Sequence, residues 1–377
     1  MPFMHPVAPA RTLGSAIDSH DNSFNLVRLV CALLVVVFHA WPMNMARPGV
    51  ADPLSPLLAP HVDLGGLAVG VFFLISGIFI TQSWVRDPHL LRFAVRRVVR
   101  IVPGLFVCLL LTTVVAVVFF SAAGWHGLAE RATWRYVFGN TWLHGLRYII
   151  SPKELSLPGV LEGQPLNGPL WTLYWEGRMY VMVALLGLAA ALPLRTWFRA
   201  AALFLLLAAN LWPDVAAGYV WEVRMWSLFL CGMLAYTLAP ELRIGPLQVA
   251  CVLAFVALNA TRWLDLTHSP LTWFGIALAA CTLGLAAGSS ARWSPAHVQR
   301  HDYSYAIYIY HWPVLLLLRA ALPPLGPLGT TLATVLVTGL LAVFSWHCVE
   351  APAQRWSRRW LKRHSVAAKH AVATEQA

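Results

Sequence analysis

The sequence predicts an all-α fold, a polytopic membrane helical bundle of about ten transmembrane helices with both termini in the cytoplasm. Three observations lead there. The chain of 377 residues is 59% hydrophobic and only 11% charged, where a soluble domain carries about 25% charged residues; its mean hydropathy is +0.64. Ten apolar segments of spanning length follow one another, at about 25–42, 64–84, 101–122, 169–192, 199–213, 223–239, 246–262, 270–289, 304–322 and 329–349. With residue 1 inside, 17 Lys and Arg fall in cytoplasmic segments and five (Arg47, Arg131, Arg135, Arg147, Lys153) in external loops, the bias that orients membrane proteins. The same bias accounts for the net charge of +11 without nucleic acid as a partner. The expected organisation is a cytoplasmic segment 1–24, a transmembrane domain 25–349 and a cytoplasmic end 350–377. The six cysteines make no CxxC pair, which argues against zinc and structural disulfides, and no metal is expected.

The first span, Asn25–Trp41, carries Arg28 and His39. It is too long for a signal-peptide core and has no A-x-A site, so it is expected to stay as an anchor. Eleven positions are three turns plus about 20°, so both polar residues share a face, roughly 16 Å apart along the axis. Arg28 near the cytoplasm can snorkel to headgroups or serve a site. His39, toward the outside, is either satisfied by a neighbouring helix or a general base, since imidazole titrates near neutral pH. The second span gathers Gly65, Gly66, Gly70, Ser76 and Gly77. That is a close-packing face or room for a ligand.

Before the third span, Arg92, Arg96 and Arg100 recur at i, i+4, i+8, with Arg97 beside them. Positive-inside bias explains part of this. Four guanidinia on one cytoplasmic face also suit a polyphosphate head. The long external connection Ala123–Gly168 is rich in Trp and Tyr, and 134–150 is expected as an interfacial or re-entrant helix. In the fourth span Asn167 is expected to cap the helix, with Pro169 in its first turn. Glu176 lies about two turns in. Arg178 points elsewhere at i+2, so Glu176 needs another partner. It is a structural ion-pair member or the carboxylate that orients His39. In the ninth span an aromatic belt accounts for the tyrosines from Tyr303 but not for His311, about eight residues deep. For His347 and Glu350, at the cytoplasmic face, interfacial anchoring is the bland reading, and it is preferred for His347. Ala353–His364 reads as an amphipathic helix on anionic membrane lipid, with Trp356 and Trp360 on one face, and 365–377 as disordered.

These motifs together resemble acyltransferase family 3, the multi-pass O-acyltransferases of bacterial surface glycans. The resemblance spans about residues 22 to 355. It rests on Arg28 and His39; on Phe72, Phe73, Ser76 and Gly77; on Arg96, Arg97, Arg100, Ile101 and Pro103; on Asn140, Leu157-Pro158-Gly159 and Asn167-Gly168-Pro169-Leu170-Trp171-Thr172-Leu173 with Glu176; on Ser304, Tyr305, Tyr308, His311 and Pro313; and on Glu350 with Pro352. The chain departs from the family at Gly70, where many members have Asp, at Gly104 and Leu105, where a Tyr is common, and at Pro169, where Ser is usual. Some relatives also carry a C-terminal hydrolase-like domain that is not expected here.

The resemblance implies transfer of an acyl group, most simply acetyl, from acetyl-CoA or another short acyl-CoA to a hydroxyl of a saccharide or lipid-linked glycan at a bacterial inner membrane. The catalytic candidates are His39, Glu176 and Arg28. The candidates for the acyl-CoA are Arg96, Arg97, Arg100, Ser76 and His311, with the pantetheine arm along the small face of the second span. His39 would take the acceptor proton, or carry the acyl group itself. The alternative class is a transporter or flippase, since intramembrane Arg, His and Glu also mark transport pathways. That class predicts broken helices in two matching halves, which the sequence does not show.

Overall fold

The computed structural model describes residues 12–18, 22–43, 52, 63–142, 156–211, 220–243, 248, 250, 282–287, 295–323 and 325–375. Among them the regular elements are helical: α1 Leu13–Asp18, α2 Phe24–Met43, α3 Leu64–Arg86, α4 Leu90–Phe120, α5 Arg131–Thr141, α6 Trp171–Leu188, α7 Leu194–Leu211, α8 Val220–Thr237, α9 Ala296–Arg300, α10 Ser304–Ala321, α11 Gly326–Ser345 and α12 Ala351–Glu375. Four stretches of the described residues are long and apolar enough to cross a membrane: Phe24–Trp41, Leu64–Arg86, Leu90–Phe120 and Gly326–Arg363. The expected spans at 246–262 and 270–289 lie almost wholly outside the described residues. So do 143–150 of the expected interfacial helix; its first part is α5.

Several boundaries differ from those expected. The arginine segment, expected to precede a span beginning at 101, is the start of α4, which runs 31 residues from Leu90. At 1.5 Å per residue it is about 46 Å long, well beyond a hydrocarbon core of about 30 Å, so its arginines stand at one end of the span. The last span continues through a π-turn, Trp346–Glu350, into α12. The end expected to be disordered is helical to Glu375; Val366-Ala367-Ala368 and Ala371-Val372-Ala373 supply alanine, the best helix former.

The chain divides into two units. The first holds residues 1–35, 51–82 and 189–302. Here α3 and α8 cross closely through reciprocal glycines. A Cβ at Gly77 would collide with the Phe229 carbonyl, and one at Gly232 with that of Leu74. The small-residue face of the second span is therefore a helix-packing surface. α1 is tied down by Leu13 N–H to the Leu242 carbonyl (2.9 Å) and Gly14 N–H to that of Ala239 (2.7 Å).

The second unit holds residues 36–50, 83–188 and 303–377. Its centre is α10, buried from Ser304 to His311. α11 turns Thr330, Thr331, Thr334, Thr338, Ala342 and Ser345 inward. Its other face exposes Leu328, Leu332, Leu336 and Leu340, one residue per turn, as a lipid-facing helix requires.

Candidate active site

Pro313 lies inside α10. Proline has no N–H, so the carbonyl four residues back, that of Ile309, loses its helical partner. Two side chains replace it: Asn167 Nδ2–H donates to it at 2.8 Å and Cys108 Sγ–H at 3.2 Å. Asn167 was expected to cap a helix. It stands at the cap position without a side-chain cap bond, and its amide serves the proline gap instead. The segment after it is strapped to the same helix. Trp312 Nε1–H donates to the Pro165 carbonyl at 2.9 Å, the Tyr308 hydroxyl donates to that of Pro169 at 2.9 Å, and Thr172 Oγ1 lies 2.7 Å from the Tyr308 hydroxyl.

This anchoring fixes His311, which is wholly buried. Its Nδ1 is 2.6 Å from the Tyr308 carbonyl, and its Nε2 is 2.9 Å from Nδ1 of His39. The ring planes are within 15° of each other, and Trp312 meets the His39 ring edge-on at 4.9 Å between centroids. A carbonyl only accepts, so His311 Nδ1 carries a hydrogen. With both rings neutral, His311 Nε2 is then an acceptor and His39 Nδ1 donates to it. The lone pair of His39 is thereby assigned to Nε2, the nitrogen turned away from the pair. Hydrogen positions follow here from the network, as they must for imidazoles.

One end of α4 gathers the guanidinia. Arg92 grips Asp87 in a fork, with Nε 3.0 Å from both carboxylate oxygens and Nη2 2.5 Å from Oδ1, and Arg96 Nη1 donates to Asp87 Oδ2 at 2.7 Å. The Arg92 hydrogen bonds, opposed by partial burial and helped by Arg96, hold the Asp87 carboxyl at about 2. Arg97 lies over the rings of Phe93 and Tyr180, 5.7 Å from each centroid. The Tyr180 hydroxyl donates to Glu176 Oε1, one turn away on α6, and Glu176 is also within electrostatic reach of Arg97. Arg100 lies over the Tyr305 ring at 5.5 Å and 3.7 Å from Glu350 Oε2.

The sequence-derived candidates therefore separate. His39 and His311 meet, although His311 was expected on the acyl-CoA. Glu176 makes its hydrogen bond to Tyr180 in the arginine group and none to His39, so the carboxylate expected to orient the imidazole is replaced in that place by His311. Arg96 is engaged by Asp87, Arg97 lies over aromatic faces, and Arg100 lies over the Tyr305 ring and pairs with Glu350. Arg28 belongs to the first unit, where it pairs with Asp302 at 3.4 Å and lies over Phe79 at 5.2 Å. Ser76 is half-buried on α3. Glu350, for which interfacial anchoring was the bland reading, is buried, with 1% of its surface exposed.

Sequence reasoning gave no part of its own to Asp87, Tyr180, Thr172 or Trp312, and a different one to Asn167. Two signals could have found part of this set. Glu176 and Tyr180 stand at i, i+4 on one helix, and a helix with Pro313 must leave the Ile309 carbonyl in search of a donor.

The profile of the acyltransferase domain of acyltransferase family 3 matches residues 21–348, and the chain belongs to this family. It is 29% identical over 376 residues to "Nodulation protein 10" of Rhizobium leguminosarum bv. viciae, covering 90% of this chain and 94% of that protein. It is 25% identical over 358 residues to "O-acetyl transferase" of Shigella phage Sf6, covering 92% of this chain and 97% of that one. No solved structure matches it. The chain is thus a multi-pass membrane acyltransferase, and the transport alternative falls away.

Proposed function

We propose that the protein moves an acyl group, acetyl in the simplest case, from cytoplasmic acyl-CoA to a hydroxyl of a saccharide or lipid-linked glycan at a bacterial inner membrane. The observation that carries this reading is the His39–His311 pair, which leaves His39 Nε2 as a base in a chain whose family transfers acyl groups. The relative named O-acetyl transferase supports oxygen as the acceptor atom.

In this reading the acceptor O–H gives its proton to His39 Nε2 as its oxygen attacks the thioester carbonyl carbon. The tetrahedral intermediate collapses, the carbon–sulfur bond breaks, and the imidazolium returns the proton to the departing thiolate. His311 positions His39 and spreads the transient positive charge toward the Tyr308 carbonyl. Arg97 and Arg100, with Arg92 and Arg96 behind them, face the phosphates of CoA. Glu176 acts on that group through Tyr180 rather than on His39. Arg28, tied to Asp302, holds its own helix.

The test is purified protein in nanodiscs with labelled acetyl-CoA and a panel of glycan acceptors. Label should appear as an alkali-labile ester on a glycan. His39→Ala protein that folds and transfers at the wild-type rate would overturn the reading. Label trapped on His39 with no acceptor present would instead establish the acyl-histidine route.

A further inference from the structure

Glu350 is the buried carboxylate that the chemistry above leaves unused. It sits on the last residue of the π-turn Trp346–Glu350. A π-turn adds one residue to the helical repeat, so the side chains after it rotate out of the register of the preceding helix, and such turns gather at functional sites. Here the extra residue brings Glu350 back over Ser345, whose hydroxyl donates to Oε1 at 2.9 Å. The other oxygen, Oε2, lies 3.7 Å from Arg100 Nη1. That separation is an ion pair beyond hydrogen-bond length, so the attraction is of charge. Tyr305 closes the other side. Arg100 lies over its ring, and its hydroxyl donates to the Ile101 carbonyl at 2.8 Å. The close fit depends on Gly104, where a Cβ would stand 3.0 Å from Tyr305 Cε1 and 3.3 Å from Glu350 Cγ.

We infer that Glu350, presented by the π-turn and oriented by Ser345, is the positioning residue that holds Arg100 at the acyl-CoA phosphates. This rests on the proposal that Arg100 meets the donor. A buried charge without compensation is costly, so Glu350 and Arg100 hold one another in place. The 3.7 Å ion pair draws the guanidinium toward Glu350, and the Tyr305 ring lies against its face. His347 on the same π-turn is exposed, and its ring lies 3.2 Å from the Tyr303 hydroxyl, so it stays outside this arrangement.

The experiment is steady-state kinetics of the full chain in nanodiscs with acetyl-CoA and a fixed glycan acceptor, on Glu350→Gln, Ser345→Ala and Arg100→Ala. Glu350→Gln keeps shape and the Ser345 contact but loses the charge. It should raise the acetyl-CoA KM at least tenfold, with kcat and acceptor KM within twofold of wild type. Ser345→Ala should raise the donor KM by a smaller factor, and added salt should weaken donor binding less in Glu350→Gln than in wild type. If Arg100→Ala raises the donor KM while Glu350→Gln leaves it unchanged, the inference fails and the donor assignment stands. If Arg100→Ala itself leaves the donor KM unchanged, the donor assignment fails first. A purely structural carboxylate would lower the melting temperature and the yield of active protein in Glu350→Gln while both KM values stayed at wild type, which would also overturn the inference. Glu350→Asp, which keeps the charge on a shorter arm, should recover part of the donor affinity if the protein is folded.

Discussion

At the His311 end of α10 the groups are held by neutral hydrogen bonds that the backbone dictates: a proline removes one donor, an asparagine and a cysteine replace it, and a carbonyl fixes one imidazole, which fixes the next. Two turns earlier, at Tyr305, the groups are held by charge and by aromatic faces: Arg100 between Tyr305 and Glu350, Arg97 over Phe93 and Tyr180. The two positions are about 9 Å apart along one helix. The first kind of anchoring has a single geometry and is indifferent to salt. The second has many orientations and is screened. Proton transfer needs the former, because a base must lie within hydrogen-bond reach of its proton. Capture of a flexible, highly charged molecule tolerates the latter.

The largest test of this contrast is His39→Ala. General-base catalysis contributes about 10²–10⁴-fold, so transfer should fall by that factor, read as label in glycan per minute, with acetyl-CoA binding unchanged by equilibrium dialysis. Next is His311→Ala. It removes the partner that assigns the His39 lone pair to Nε2, so kcat should drop on the order of 10²-fold while the donor KM holds; a loss confined to donor KM would return His311 to the acyl-CoA. At the other end, Arg97→Ala and Arg97→Lys should behave alike. A guanidinium stacked between two rings is poorly replaced by an ammonium, and such a contact is worth roughly 0.5–2 kcal/mol. The donor KM should therefore rise about 2- to 30-fold in both, and high salt should narrow the gap to wild type.

How much of this was legible in the sequence follows the same division. Hydropathy and the Lys/Arg bias are local sums, so the helical membrane fold could be read directly. His39, His311 and Glu176 stood out because each is costly in a span and needs a reason, and Arg97 and Arg100 because they stand with Arg92 and Arg96 on one cytoplasmic face. Pairings between distant helices were not legible. Depth alone matched Glu176 to His39, but depth fixes one coordinate of three, and rotation about each helix axis decides the partner. Glu176 turned to Tyr180 on its own helix, and His311 took the imidazole. The burial of Glu350 was hidden for a similar reason: its place near an apolar boundary left interfacial anchoring open, and the π-turn that buries it has no signal in composition.

A smaller effect is expected at the proline gap. Asn167→Leu removes the 2.8 Å donor to the Ile309 carbonyl and leaves a buried acceptor short of a partner, a cost of about 1–3 kcal/mol. Thermal unfolding in nanodiscs should show that loss. Adding Pro313→Ala restores a backbone N–H four residues on, and should recover part of the stability in the double variant although Pro313→Ala alone gains little. Equal and additive losses would mean that Asn167 does not serve the proline gap.

The smallest effect belongs to Asp87, and it probes the charged end at its exposed rim. Its carboxyl sits at about 2, held there first by the Arg92 hydrogen bonds, against about 3.9 in an unfolded chain. A depressed carboxylate contributes stability that is fully present above the unfolded value and is lost as pH falls through the folded one. The melting temperature of Asp87→Asn should therefore lie a constant, small amount below wild type at neutral and mildly acidic pH. The gap should begin to close below about pH 4 and vanish near pH 2. Salt should shrink it throughout, since the group is solvent-accessible. A gap that persisted at the acid end would show that Asp87 acts through the shape of the α3–α4 turn rather than through its charge, and the rim would then resemble the geometric anchoring at His311 more than the electrostatic anchoring at Arg100.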